Sequence, residues 1–282
     1  MLFTLCIACI GICGCAAGSA VLAMTRSTDQ FLAYDKDPRV RYEPGAAGMA
    51  RQVARALPAA LHTVQEMQYR GFAAPVRIYV CASIDSFKAY GAPSGREGGF
   101  VLNKRLFISP KPGNTAERIP ALLAHELSHL QIEQQIGLFR AARIPSWFKE
   151  GLAVRVANGG GAETVTEDQA RVALRQNEYF QPETEGSLLF PKRARDYGLV
   201  PHLFYREAAM FVGYLYQADS ANFRKLLLAV EDGLPFANAF RDAYGAAPGE
   251  VWTDFLTEMK KSGNAFHAYP QRNRFPALVL TE

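Results

Sequence analysis

The sequence predicts an α+β fold, with a β-containing lobe first and a mainly helical lobe second. Two observations carry this. The β-branched and aromatic runs that read as strands all fall before about residue 110, and beyond Asn114 apolar residues recur at helical spacing. A third sets the scale: 49% of the 282 residues are hydrophobic and 21% are charged, a globular composition with length for one large domain or two small lobes. The net charge of +4 is mild. The only tight basic run, Lys192-Arg193-Ala194-Arg195, falls short of the dense stripe that a nucleic-acid surface carries, so it reads as a solvated face and no nucleic-acid partner is expected.

Met1 to Ala23 contains no charged side chain and is rich in Leu, Ile, Ala, Gly and Cys, the pattern of an export leader or membrane anchor. Three fates fit it. "ICGC" (Ile12 to Cys15) resembles a lipobox, whose cysteine becomes a lipidated mature N-terminus; "VLA" (Val21 to Ala23) offers the small residues of a signal-peptidase site; uncleaved, the run is long enough to span a bilayer. No Lys or Arg precedes the apolar run. The lipoprotein reading places the chain in the cell envelope or periplasm, attached to a membrane through its leader. Cysteine usage agrees with export without disulfides: Cys6, Cys9, Cys13 and Cys15 lie in the leader, leaving Cys81 alone in the body as a small buried hydrophobe.

Residues 24–45 read as a polar tether. Ala46 to Tyr69 is helical, with Val53, Leu57, Leu61, Val64 and Met67 on one face and Pro58 a candidate kink. "PVRIYVCAS" (Pro75 to Ser83) reads as a strand, "SIDSFKAYG" as a short helix ending at Gly91, and Gly95 to Gly99 as a flexible loop. "FVLNKRLFISP" (Phe100 to Pro110) follows as strand or hairpin, completing a β-containing lobe over 46–113. The helical lobe, 114–265, begins with a helix from Pro120, since proline suits the first helical position, to about Ile136, with Gly137 as its stop. Further helices are expected over Trp147–Ala157, Glu167–Gln176, Pro201–Asp219, Ala221–Glu231, Leu234–Tyr244 and Ala247–Ser262, with 266–282 as a tail.

The helix from Pro120 carries "LLAHELSHL" (Leu122 to Leu130), which holds two of the five histidines. Residues four apart on a helix differ by about 40° in azimuth and about 6 Å along the axis. His125 and His129 therefore point the same way and can meet one metal ion, for which imidazole nitrogen suits zinc. Glu126 points to the side, where it can reach a water beside the metal; this makes H-E-x-x-H on a helix a zinc-hydrolase signature with the glutamate as general base. The bland reading is an exposed helix face with two solvated histidines. Leu122, Leu123, Leu127 and Leu130 leave little wet face for it, and buried histidines need polar partners that a metal would supply.

Downstream stands "IPSWFKEGLAVRVA" (Ile144 to Ala157). HExxH followed about twenty residues later by W-F-x-E-G-L-A resembles the gluzincin metallopeptidases, specifically the peptidase MA-like group. The resemblance spans about Pro75 to Met259 and continues diffusely through "FYREAAMFVGYLYQADSANFRKLLLAVEDGLPFANAFRDAYGAAPGEVWTDF". It implies a zincin-like metallopeptidase fold with a catalytic domain over 46–265, and makes Glu150 the third ligand beside His125 and His129. It further implies a tyrosine or histidine donating to the developing oxyanion. Tyr205 is the candidate for that role, with Tyr214 and His202 as alternatives; a tyrosine packed between helices is the plain reading of each. Two departures stand out. There is no G-x-M-E-N stretch, which argues against a dedicated aminopeptidase, and Val154 stands where thermolysin-like enzymes carry an aspartate that orients a ligand histidine.

The expected function is a zinc-dependent metallopeptidase with one Zn2+ per chain, Glu126 as general base, and a peptide or protein substrate paired along the strand at Phe100 to Ser109. Two other functions fit the same motifs: a non-catalytic envelope-anchored binding or scaffold protein that keeps the fold, and a zinc amidase acting on cell-wall peptides.

Overall fold

The computed structural model describes residues 22–111, 115–188 and 190–261. The leader, apart from its last residues, and the tail at 266–282 lie outside the described residues. The chain is α+β: a mixed five-stranded sheet followed by a helical half.

The strands are β1 (Leu32–Tyr34), β2 (Asp37–Tyr42), β3 (Ile78–Val80), β4 (Gly99–Leu102) and β5 (Arg105–Ile108), in the order β1-β2-β3-β5-β4. β2, β3 and β5 run parallel, while β1 and β4 are antiparallel edges. Alternation explains why the central strands read as unbroken apolar runs. Ile78, Val80, Leu106 and Ile108 face the main core, whereas Tyr79, Cys81 and Phe107 face a second aromatic core with Phe31, Phe87, Tyr90 and Phe100. Cys81 is a fully buried free cysteine whose thiol burial pushes up to about 12, in line with its reading as a small hydrophobe.

The expectation of a tether over 24–45 is corrected, because β1 and β2 lie within it. In Asp37–Tyr42 the single fully buried residue is Val40, between half-exposed Arg39 and Arg41, and Asp37 is tied to Arg39 at 2.6 Å. One inward side chain among charges leaves almost no alternation to read. The segment over Phe100–Pro110 is a hairpin, and Asn103 and Lys104, both at positive φ (51° and 59°), make the two-residue turn whose twist suits paired strands.

The helices are α1 (Ala47–Met67), α2 (Ile84–Ala89), α3 (Ile119–Ile136), α4 (Leu138–Ala141), α5 (Ser146–Val156), α6 (Glu167–Arg175), α7 (Pro201–Ala218), α8 (Ser220–Glu231), α9 (Phe236–Tyr244) and α10 (Pro248–Lys261). Those expected from the sequence sit within two residues of their expected ends; α4 and the 3-10 turn at Ala194–Tyr197 are additional. α1 runs through Pro58, which is exposed, and lays Ala50, Val53, Leu57, Ala60 and Val64 on the core. α3 is buried along most of its circumference, with Pro120 in its first turn and Gly137 (φ 78°) at its end. Among the described residues no helix is long and apolar enough to cross a membrane.

Candidate metal centre

α3 contributes His125 and His129, and α5, which packs on α3 and across α7, contributes Glu150. The α5–α7 crossing depends on Gly151: a Cβ there would fall 2.4 Å from the Ala208 carbonyl oxygen. The neighbour of Glu150 is thus glycine because two helix backbones touch at that point.

His125 Nε2 and His129 Nε2 stand 3.3 Å apart, and Glu150 Oε2 lies 3.4 Å from the first and 3.6 Å from the second. Ligands about 2.0–2.1 Å from a tetrahedral zinc ion stand about 3.3–3.4 Å from one another. The three atoms therefore form one face of such a site. Among the described residues this is the group of His, Cys, Asp and Glu whose atoms converge closely enough to hold a metal ion. The side chains of His125, His129 and Glu150 remain 10%, 20% and 23% exposed, so one side of the triangle reaches solvent, as an open coordination position requires.

The support that the sequence left unidentified is a backbone carbonyl. His125 Nδ1 lies 3.1 Å from Gly160 O, which makes Nδ1 the donor and leaves Nε2 free to face the triangle. The carbonyl comes from a turn that only glycine builds. Gly159 and Gly161 have φ of 94° and 95°, a Cβ on Gly160 would meet Ala121 Cβ at 2.8 Å, and one on Gly161 would meet the His125 ring at 2.8 Å. The Gly159-Gly160-Gly161 run was the available signal.

Burial pulls His125 down, but the Glu150 carboxylate bonded to it prevails and pushes the imidazole up to about 9. Burial works to raise Glu150, yet the two facing imidazoles hold it well below the usual carboxylate range. Glu126 is raised by burial against the pull of both histidines. Its side chain lies under β4, where a Cβ on Gly99 would approach Glu126 Cγ to 3.0 Å.

The three oxyanion candidates separate clearly. Tyr205, half-buried on α7 against Val154, Ala162 and Ala209, feels Glu150 first, then burial and Glu126; together these raise its hydroxyl and keep it a proton donor. Tyr214 packs on Phe211 and Phe255 instead. His202 Nδ1 accepts from the Thr164 backbone N–H at 3.1 Å and stands 3.9 Å from Glu163. The fold thus brings His125, His129 and Glu150 together, with Glu126 buried beside them and the Glu150 charge acting on Tyr205, while Tyr214 and His202 make other contacts. A scan against protein-family models finds none that matches the chain, and a search of curated proteins finds no match either.

Proposed function

We propose that the protein is a zinc-dependent metallopeptidase of zincin-like fold, exported and held at the cell envelope. One observation carries this: three ligand atoms of the right chemistry stand 3.3–3.6 Å apart, with a buried glutamate directly after the first ligand. His125, His129 and Glu150 would hold the ion, and zinc bound there supplies acidification of water and polarisation of the scissile carbonyl.

The remaining work falls to the chain's own groups. Glu126, its basicity raised by burial, accepts the proton of the attacking water and delivers it to the leaving amine. Tyr205 keeps its proton and donates a hydrogen bond to the developing oxyanion. β4 is the sheet edge beyond β5, and Gly99 brings its backbone against Glu126, so an extended peptide paired along β4 would pass the site.

The test is zinc content and peptide hydrolysis of wild type beside Glu126→Gln and Glu150→Ala. We expect one zinc per wild-type chain, kept by Glu126→Gln with turnover reduced about 10²–10⁴-fold, and lost by Glu150→Ala. Full activity in Glu126→Gln, or a folded wild type that takes up no zinc, would overturn the assignment.

A further inference from the structure

Between α6 and α7 the chain makes an excursion fastened at both ends and bare in the middle. At its base the Trp147 indole N–H donates to Glu183 O at 3.0 Å and the Gly186 N–H to Arg143 O at 2.7 Å. Gly186 has no room for a side chain, since a Cβ would fall 2.4 Å from the Ile144 carbonyl oxygen. At the far end Ala194 and Leu199 are buried. Between these anchors Leu188 is 47% and Phe190 80% exposed, although the Phe190 N–H is tied back to Ser187 Oγ at 3.0 Å. Two large apolar side chains are therefore held in water on a secured loop, the kind of feature that marks an interaction surface.

Cations flank that tip. Lys192, Arg193 and Arg195 are exposed, and among the described residues none of them stands in an ion pair. Of the nearby acids, exposed Asp196 lies within the basic run itself, while Glu183 and Glu185 lie toward the base of the loop. Glu183 is half-buried and accepts the Tyr197 hydroxyl, Asp196 accepts the Arg193 N–H at 2.7 Å, and Glu185 lines a cleft of about 300 Å³ together with Arg140 and Arg143. The projecting part is apolar at its tip and positive beside it.

We propose that this loop docks the protein on an anionic lipid surface, with Leu188 and Phe190 entering the boundary between headgroups and acyl chains and Lys192, Arg193 and Arg195 facing the lipid phosphates. Charge complementarity selects a bilayer over an apolar protein groove, because exposed apolar residues with adjoining lysine and arginine are what interfacial attachment requires. The uncharged stretch from Met1 to Ala23 gives the chain a second reason to be at a membrane. The inference does not depend on the peptidase reading.

The test uses the full chain carrying Phe190→Trp. Trp147 and Trp252 are 0% and 1% exposed, so their emission is a constant background and a check on folding. The chain is mixed with phosphatidylcholine vesicles, with or without phosphatidylglycerol, and with brominated acyl chains as quencher. The indole at position 190 is expected to shift to the blue and be quenched in the anionic vesicles alone. Adding Lys192→Glu, Arg193→Glu and Arg195→Glu is expected to lower the quenched fraction by more than about tenfold while the leader still carries the protein to the vesicles. Unquenched emission in both vesicle types, equal quenching in neutral vesicles, or shielding only on addition of a peptide would each overturn it, the last reassigning the loop to a protein partner.

Discussion

At the scale of single residues, two glycines divide the proposed chemistry between them. Gly161 has φ of 95° and space for nothing beyond hydrogen against the His125 ring, so Gly161→Ala must displace that imidazole. Loosened support of a ligand histidine costs about 10–100-fold in metal affinity, and we expect that loss in a zinc competition titration. Gly99→Ala instead crowds Glu126 at 3.0 Å and the Phe107 carbonyl oxygen at 3.1 Å without approaching a ligand. It should leave zinc affinity unchanged and lower turnover, by about 10²-fold if the carboxylate moves by 1 Å. Equal loss of zinc in both variants would show that the two glycines do not act separately. The candidate ligands were legible because each is a side chain in a fixed register: His125 and His129 through helical spacing, Glu150 through the motif on which the resemblance rests. The Gly160 carbonyl left only an indirect signal, the run Gly159-Gly160-Gly161 that shapes its turn, since a backbone acceptor bears no residue type of its own.

At the scale of elements, α7 joins the site to the core and carries a buried cost. Its Ala208 carbonyl receives Gly151 of α5, its Tyr205 feels the charge of Glu150, and its Glu207 points into the interior at 0% exposure. The Glu207 carboxyl approaches the Phe180 amide yet leaves both oxygens unsatisfied, and burial pushes it up to about 9. A carboxyl raised in the folded state keeps its proton where the unfolded chain has lost it. Its stabilising share is complete below the unfolded value, about 4.3, and is lost progressively as pH rises towards 9. Glu207→Gln should therefore stabilise the protein at pH 7 and above, by up to about 4 kcal/mol at pH 7 and with a higher thermal midpoint, and change little at pH 4.5. A gain independent of pH in the melting curves would contradict the burial account. Helices of this half were easy to read because apolar spacing survives any partner. β2 was missed because one buried valine, Val40, between two arginines carries no period.

At the scale of the molecule, the two lobes seen in the sequence are sewn into one body by a polar seam. Gln68 at the end of α1 donates to Gln131 of α3 at 2.8 Å, and Arg70 reaches Glu231 of α8 at 3.3 Å and Asp232 at 2.7 Å. Burial outweighs Gln131 and Arg70 and pushes Glu231 up to about 7. Glu231, Glu207 and His125 therefore share one sign: each holds a proton in the folded, metal-free protein that the unfolded chain releases earlier. Stability from Glu231 is lost between about pH 4.3 and 7, from Glu207 between about 4.3 and 9, and from His125 between about 6.5 and 9. The metal-free protein should melt progressively lower from pH 5 to 9. Zinc bound as proposed would have to displace the proton held by His125, so its apparent affinity should rise about tenfold per pH unit up to 9. The two trends oppose each other, because whatever binds only the folded state stabilises it in proportion to the logarithm of its affinity. Melting curves with and without a chelator should consequently diverge as pH rises, with the largest gap near pH 9. A gap that stays constant from pH 6 to 9 would mean that metal and proton do not compete for the same imidazole.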